Sequence, residues 1–283
     1  MDKKRREFLK IAGISTLAGL GAPAVVDGLI SGSFPAVARA AKEVTGNGHG
    51  EGNNQAAPAD HGTETAKTGK RYGMIIDVRK FFANPDMAEE CTKQCHKVHN
   101  VPNFPDQKDE IKWIWLTGYE NAFPGHSQYY RNEEIEKNDI LVLCNHCDNP
   151  PCVRACPTKA TFKNQDGIVA MDYHRCIGCR FCMMGCPYGA RSFNWMEPRP
   201  YIKEYNPDFP TRMRGVVEKC NFCGERLAIG QEPACLEAVK EVGAIVFGDL
   251  NDPKSEIRQL LDMEATIQRK PSLGTKPSVF YIV

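Results

Sequence analysis

From residue 70 onward, the alternation of apolar and polar positions in YGMIIDVRK (72–80) predicts a strand. IKWIWLTG (111–118) and DILVLC (139–144) predict two more. DGIVAMDYHRC (166–176) reads as a short hairpin strand running into a loop, with GARSFNW (189–195) as its return. CLEAVKEVG (235–243) has the spacing of one short helix stopped by Gly243, and AIVFGDL (244–250) follows as a closing strand. DPKSEIRQLLDM (252–263) predicts a surface helix with Pro253 at its start. KPSLGTKPSVFYIV (270–283) is extended and punctuated by Pro and Gly. Short strands and helices joined by long loops make an α+β pattern whose core needs staples beyond its apolar residues.

The first 69 residues follow a different pattern. Arg5 and Arg6 precede Phe8, Leu9 and a weakly apolar, glycine-rich run, and AVARAA ends with Ala38 and Ala40 around Arg39. This is the layout of a cleavable twin-arginine export signal over residues 1–40. Ile11–Ile30 is long enough to span a bilayer, but four glycines, Pro23 and Asp27 make it a poor membrane helix. Residues 41–69 hold Gly, Asn, Ala and Thr with almost no large apolar side chain, the composition of a disordered linker. His49 and His61 within it read as solvated side chains. The folded part then divides into 70–250, which holds every cysteine, and a helix with an extended tail over 251–283.

Net charge is +1, and the first forty residues carry six basic and three acidic residues, so the remainder is near neutral. A nucleic-acid binder needs a basic surface that this chain lacks. Neither a phosphate-binding GxxxxGK[ST] loop nor a GxGxxG fingerprint occurs, and no nucleophile stands with a base.

Thirteen cysteines change the picture. Cys176, Cys179, Cys182 and Cys186, followed by Pro187, form C-x2-C-x2-C-x3-C-P. In that ferredoxin run three thiolates hold one [4Fe–4S] cluster, while the fourth reaches the neighbouring cluster. Cys144, Cys147, Cys152 and Cys156, followed by Pro157, form the same device with two residues added. The crossing rule then groups Cys144, Cys147, Cys152 with Cys186, and Cys176, Cys179, Cys182 with Cys156. A third run, Cys220, Cys223 and Cys235, has Val239 where its crossing cysteine would stand. Its counterpart is Cys91 and Cys95, spaced as the third and fourth positions of a run, with no cysteine upstream and Phe81 and Phe82 there instead. Cys95 thus completes the set Cys220, Cys223, Cys235. The remaining site would keep Cys91 alone. Three [4Fe–4S] clusters use twelve cysteines, one cluster of four is deleted, and the loss belongs at one end of the row.

Structural zinc also uses CxxC pairs, and an exported zinc-stapled binding module is the alternative of another class. Paired runs ending in Cys-Pro argue for clusters. An exported chain rich in cysteine suggests disulfides, but the twin-arginine route carries folded proteins from a reducing compartment, which favours metal ligation. His96, His99, His146 and His174 lie near cysteines and read as polar supports rather than ligands. Trp113, Trp115 and Trp195 read as core or interface residues.

The segments CNHCDNPPCVRACPTKATF and YHRCIGCRFCMMGCPYGAR, the four-run plan and the leader resemble a known family. Its members are the exported electron-transfer subunits of polysulfide, dimethyl sulfoxide and tetrathionate reductases and of nitrite-reducing systems. The resemblance covers roughly residues 70–250. HNVP, KWIWLTGYENAFPG and LGTKPSVFYIV are similar to DsrO-type subunits of the DsrMKJOP complex of sulfate-reducing and sulfur-oxidising microbes. The resemblance implies two ferredoxin-like modules and no catalytic apparatus. It implies a peripheral place on the extracytoplasmic face of a membrane, against a polytopic quinone-reactive subunit of the NrfD type and beside a c-type cytochrome. A subunit feeding a molybdopterin reductase is the alternative within the same class. Replacing Arg5 and Arg6 by lysine is expected to leave the folded protein in the cytoplasm, which cell fractionation reads directly.

Overall fold

The computed structural model describes residues 69–126 and 133–283. The export signal and all of the linker except Gly69 lie outside the described residues. Strand β1 (Tyr72–Asp77) is followed at once by helix α1 (Val78–Ala83). The strand pattern read through Lys80 therefore ends at Asp77, whose carboxylate accepts from the Arg79 amide at 3.2 Å and caps the helix. Helix α2 (Asp86–Val98) follows, a long element that the strand periodicity upstream did not announce. Asp86 and Glu89 occupy its first turn, where they complement the helix dipole. Ala88, Cys91 and Cys95 fall at spacings of three and four and form its buried face.

The main sheet takes β8 (Ile245–Asp249), β1, β10 (Val279–Ile282) and β9 (Thr266–Ile267) in that order. The stretch expected as a helix and extended tail supplies helix α9 (Glu256–Met263) and the last two strands. Met74 pairs with Val279 and Ile76 with Tyr281 in parallel register, while β8 runs antiparallel to β1 on the other side. Met74, Ile76 and Tyr281 are fully buried, on a sheet face that packs into the core.

Three two-stranded hairpins complete the strands. β2 (Ile114–Thr117) pairs with β3 (Ile140–Leu143), and β4 (Thr161–Lys163) with β5 (Val169–Met171). β6 (Ser192–Phe193) pairs with β7 (Val217–Glu218). GARSFNW is therefore not the return of DGIVAMDYHRC: β5 turns back on β4, and β6 finds its partner beyond the second cysteine run. The cause is local, because Asn164 and Gly167 close a tight turn between β4 and β5.

Each complete or partial cysteine run lies between two strands and carries its third thiol on a helix. Cys152 is on α5 (Pro151–Arg154), Cys182 on α6 (Phe181–Met184), Cys235 on α8 (Ala234–Glu237) and Cys91 on α2. α5 packs against α6, and α2 against α8. Trp113 anchors the centre, fully buried, with Nε1 donating to Glu218 at 2.9 Å. Glu218 also accepts from Asn194 at 2.5 Å and pairs with Arg212 at 2.7 Å. Arg212 donates further to the carbonyls of His99 and Asn100 and lies over the Trp113 ring. Among the described residues no helix is long and apolar enough to cross a membrane.

Removing one partner of a fully buried ion pair strands the other. Arg212→Met is expected to lower stability by about 3–5 kcal/mol, and adding Glu218→Leu is expected not to restore it, because Trp113 and Asn194 then lose their buried acceptor. Unfolding midpoints of the cluster-loaded protein check this.

Candidate metal centre

The cysteine loops turn through the left-handed region of the backbone. His146, Gly178 and Phe222 lie between the first two cysteines of their runs at φ of 40°, 71° and 54°. At Gly178 a side chain has no room, since an added Cβ would stand 2.4 Å from the Gly215 carbonyl oxygen. These turns bend each loop so that its thiols converge, while in the first two runs the last thiol, Cys156 or Cys186, stands beyond the following helix.

Cys144, Cys147 and Cys152 meet Cys186 of the next run around one small cavity. Cys182 has Cys152, Cys176 and Cys156 as neighbours, with Cys179 half-buried on the same loop. Cys95, on α2, meets Cys220, Cys223 and Cys235. Every cysteine of the first and third groups is less than 9% exposed except Cys186. The groups follow one another: Cys220 neighbours Cys144, and Cys182 neighbours Cys152. Cys91 is fully buried beside the third group, its sulfur donating to the Cys235 carbonyl at 3.2 Å. Phe81, Leu236 and Val239 belong to the buried core around it.

Burial and thiolate crowding set the acid–base chemistry. Burial pushes Cys147 up to about 12, aided by Cys144 and opposed by a hydrogen bond with the Thr275 hydroxyl. Burial drives Cys95 well above the usual thiol range, and Cys220, Cys223, Cys235 and Cys91 drive it further. At Cys156 burial acts upward, but hydrogen bonds from Thr161, Thr158 and Ala160 outweigh it and lower the pKa. Thiolates that raise one another's pKa can ionise together only when a cation joins them. None of the thirteen cysteines forms a disulfide. Soft, buried, four-sulfur donor sets suit zinc or iron–sulfur clusters, and they fit a [4Fe–4S] group. Bound there, the group supplies reversible one-electron chemistry. The protein supplies thiolates, amide donors to sulfur and exclusion of water.

Two basic residues that spacing rules did not single out lie among these sulfurs. Arg191 Nη2 donates to Cys152 Sγ at 3.1 Å and to Thr161 at 2.7 Å. Lys219 Nζ donates to the Cys220 carbonyl at 2.6 Å and to the Val169 carbonyl. Burial lowers the Lys219 pKa while Cys144, Cys220 and Cys152 act to raise it. The available signal was a single basic residue beside a Cys run or inside an apolar strand, as in GARSF and EKC. Of the histidines, His99 bridges the third group to Glu225: Nδ1 is 2.8 Å from the Cys95 carbonyl and Nε2 is 2.8 Å from the Glu225 carboxylate. His99, Cys223 and Glu225 offer atoms within 4.8 Å of one another, yet both ring nitrogens already have hydrogen-bonding partners. His146 stacks on Phe222 at 3.7 Å and takes the Val169 amide, with burial and then Lys219 holding its pKa well down. His96 is largely buried, its pKa lowered to about 4 by burial, and His174 is exposed. Trp113 is core, Trp115 is partly buried, and Trp195 is exposed under the Arg180 guanidinium.

The family described as the 4Fe-4S dicluster domain matches residues 140–200. Over 238 residues the sequence is 41% identical to the Hdr-like menaquinol oxidoreductase iron-sulfur subunit 1 of Archaeoglobus fulgidus, covering 77% of this chain and 85% of that protein. The protein belongs to this family of iron–sulfur electron-transfer subunits. The menaquinone reductase iron-sulfur cluster-binding subunit of Nitratidesulfovibrio vulgaris is 36% identical over 239 residues, covering 75% of this chain and 88% of that protein. The B subunit of the polysulfide reductase of Wolinella succinogenes is 34% identical over 214 residues, covering 75% and 94%. As in this family, the protein is an electron-transfer rather than a catalytic subunit of an oxidoreductase complex, and it carries clusters of the 4Fe–4S type.

Without metal, the folded state holds the thiol protons of Cys91 and Cys147 more tightly than the unfolded chain, whose thiols titrate near 9. Their contribution to stability is full below pH 9 and is lost as pH rises toward 12. The reduced, iron-free protein is therefore expected to lose stability across that window. Denaturant unfolding at a series of pH values measures it, with the metal-loaded protein as control.

Proposed function

We propose that this chain is a three-cluster wire. In this reading two ferredoxin-like modules over residues 70–250 hold [4Fe–4S] clusters on Cys144, Cys147, Cys152 and Cys186, on Cys176, Cys179, Cys182 and Cys156, and on Cys220, Cys223, Cys235 and Cys95. The observation that carries it is the convergence of each run's thiols with the last thiol of a different run, most directly around the cavity lined by Cys144, Cys147, Cys152 and Cys186. The pairing of α5 with α6 and of α2 with α8 supports two modules. A cubane with four cysteine ligands has no open position for substrate, so the protein's part is to set potential and distance.

The deleted site belongs beyond the third group. Cys91 adjoins Cys235 and Cys95, and Phe81 and Val239, in the same buried core, offer no replacement donors. One thiolate cannot hold a cubane. The row then has the Cys156 group at one end, the Cys144 group in the middle and the Cys95 group at the other end.

We further infer export by the twin-arginine signal at 1–40, a linker over 41–69, and a peripheral place on the outer face of the membrane. The partners in this reading are an NrfD-type quinone-reactive membrane subunit and a c-type cytochrome of a DsrO-type, sulfur-metabolising complex. The names of the menaquinol, menaquinone and polysulfide relatives support a link to quinones and sulfur compounds. Iron analysis of the pure protein is expected to give about twelve irons per chain, four per cubane. Cys95→Ala is expected to remove one cluster and Cys91→Ala none. About sixteen irons, or cluster loss in the Cys91 variant, would sink this assignment.

A further inference from the structure

The three groups of cysteines leave two gaps between them, and each gap holds one buried cation. Arg191 is 5% exposed and has Cys152 and Cys144 of one group and Cys182 of the other as neighbours. It donates to Cys152 Sγ, and Cys152 packs with Cys182, Val169 and Val217 in one buried cluster. Lys219 is 1% exposed and lies between the Cys144 group and the Cys220 group. Its ammonium donates to the carbonyls of Val169 and Cys220.

Among the described residues neither cation has a carboxylate partner. The polar neighbours of Arg191 are the Cys152 and Met171 sulfurs and the Thr161 hydroxyl, and those of Lys219 are two carbonyls. This contrasts with Arg212, equally buried and paired with Glu218. A buried cation without an anion is costly, by several kcal/mol per ion. The cysteines of the flanking groups are the negative charges that act most on Arg191, and they act on Lys219 as well.

We propose that Arg191 and Lys219 are potential-setting charges, each serving the two cluster sites that flank it, so that the middle site receives both. This rests on the three-cluster reading. Reduction adds one negative charge to a site, and a fixed cation in a water-poor gap stabilises the reduced form more than the oxidised one. Arg191 acts on the Cys144 and Cys176 sites and not on the Cys220 site. Lys219 acts on the Cys144 and Cys220 sites and not on the Cys176 site. The middle of the row is thereby made easier to reduce, which keeps a transferred electron inside the protein between its two ends.

The test is a redox titration of the full, cluster-loaded protein followed by electron paramagnetic resonance, with signals assigned through Cys147→Ser, Cys179→Ser and Cys223→Ser. Arg191→Gln should disfavour reduction of the Cys144 and Cys176 sites by tenfold or more, about 59 mV for a one-electron couple, and leave the third site alone. Lys219→Gln should do the same to the Cys144 and Cys220 sites. Arg191→Lys and Lys219→Arg, which keep the charge, should move each midpoint by less than half as much. The proposal is overturned if charge removal moves no midpoint, if all three move together, or if the charge-keeping variants shift as far. Should a Gln variant lose iron, the charge-keeping variant decides: a tenfold shift there overturns the idea, and a near-native midpoint upholds it. An iron content other than about twelve in the unmodified protein is failure of the cluster count instead.

Discussion

A short cysteine loop can close around only part of a site. Left-handed turns at His146, Gly178 and Phe222 bring early thiols of each run together, and the thiol beyond the next helix stands apart. That thiol must find its site in another run, so no run can be completed locally. α5 packs against α6 and α2 against α8, so that Cys156 and Cys186, just beyond the first pair, and Cys95, on α2, lie beside the neighbouring run. The rest of the fold holds those two helix pairs at a fixed separation, with the Trp113, Glu218 and Arg212 cluster and the main sheet as supports.

Burial imposes the second demand. Thiols packed this closely raise one another's pKa, and the folded protein favours them neutral until a cation arrives. Metal binding and folding are therefore linked: the same crowding that disfavours bare thiolates makes the filled site retain its metal. The amides and hydroxyl around Cys156 act in the opposite direction, at the one group with three half-buried thiols.

The chemistry of the protein was largely legible in its sequence, because cysteine spacing encodes loop geometry over a few residues. The strands of YGMIID, IWLT and ILVL were legible too, since each is a compact apolar run. What spacing could not reveal was decided at long range or by single side chains. Asp77 ended β1 by capping α1. The thirteen-residue α2 was hidden because its buried face is made of Ala88 and two cysteines rather than large apolar residues. β6 paired beyond its expected partner because the β4–β5 turn had already closed. Arg191 and Lys219 carry no spacing signal, and only packing reveals that they are enclosed by sulfur and carbonyl oxygen.

The parallel pairing of β1 with β10 bears on the timing of assembly. β1 precedes every cysteine in the order of synthesis, and Val279–Ile282 follow them all. Until those residues emerge, one edge of β1 has no partner, and Met74 and Ile76 stay uncovered there. The thiols of all runs are synthesised during that interval, while the molecule is still open along its central seam. The tail thus works as a latch: the sheet can close only after every cysteine is already present.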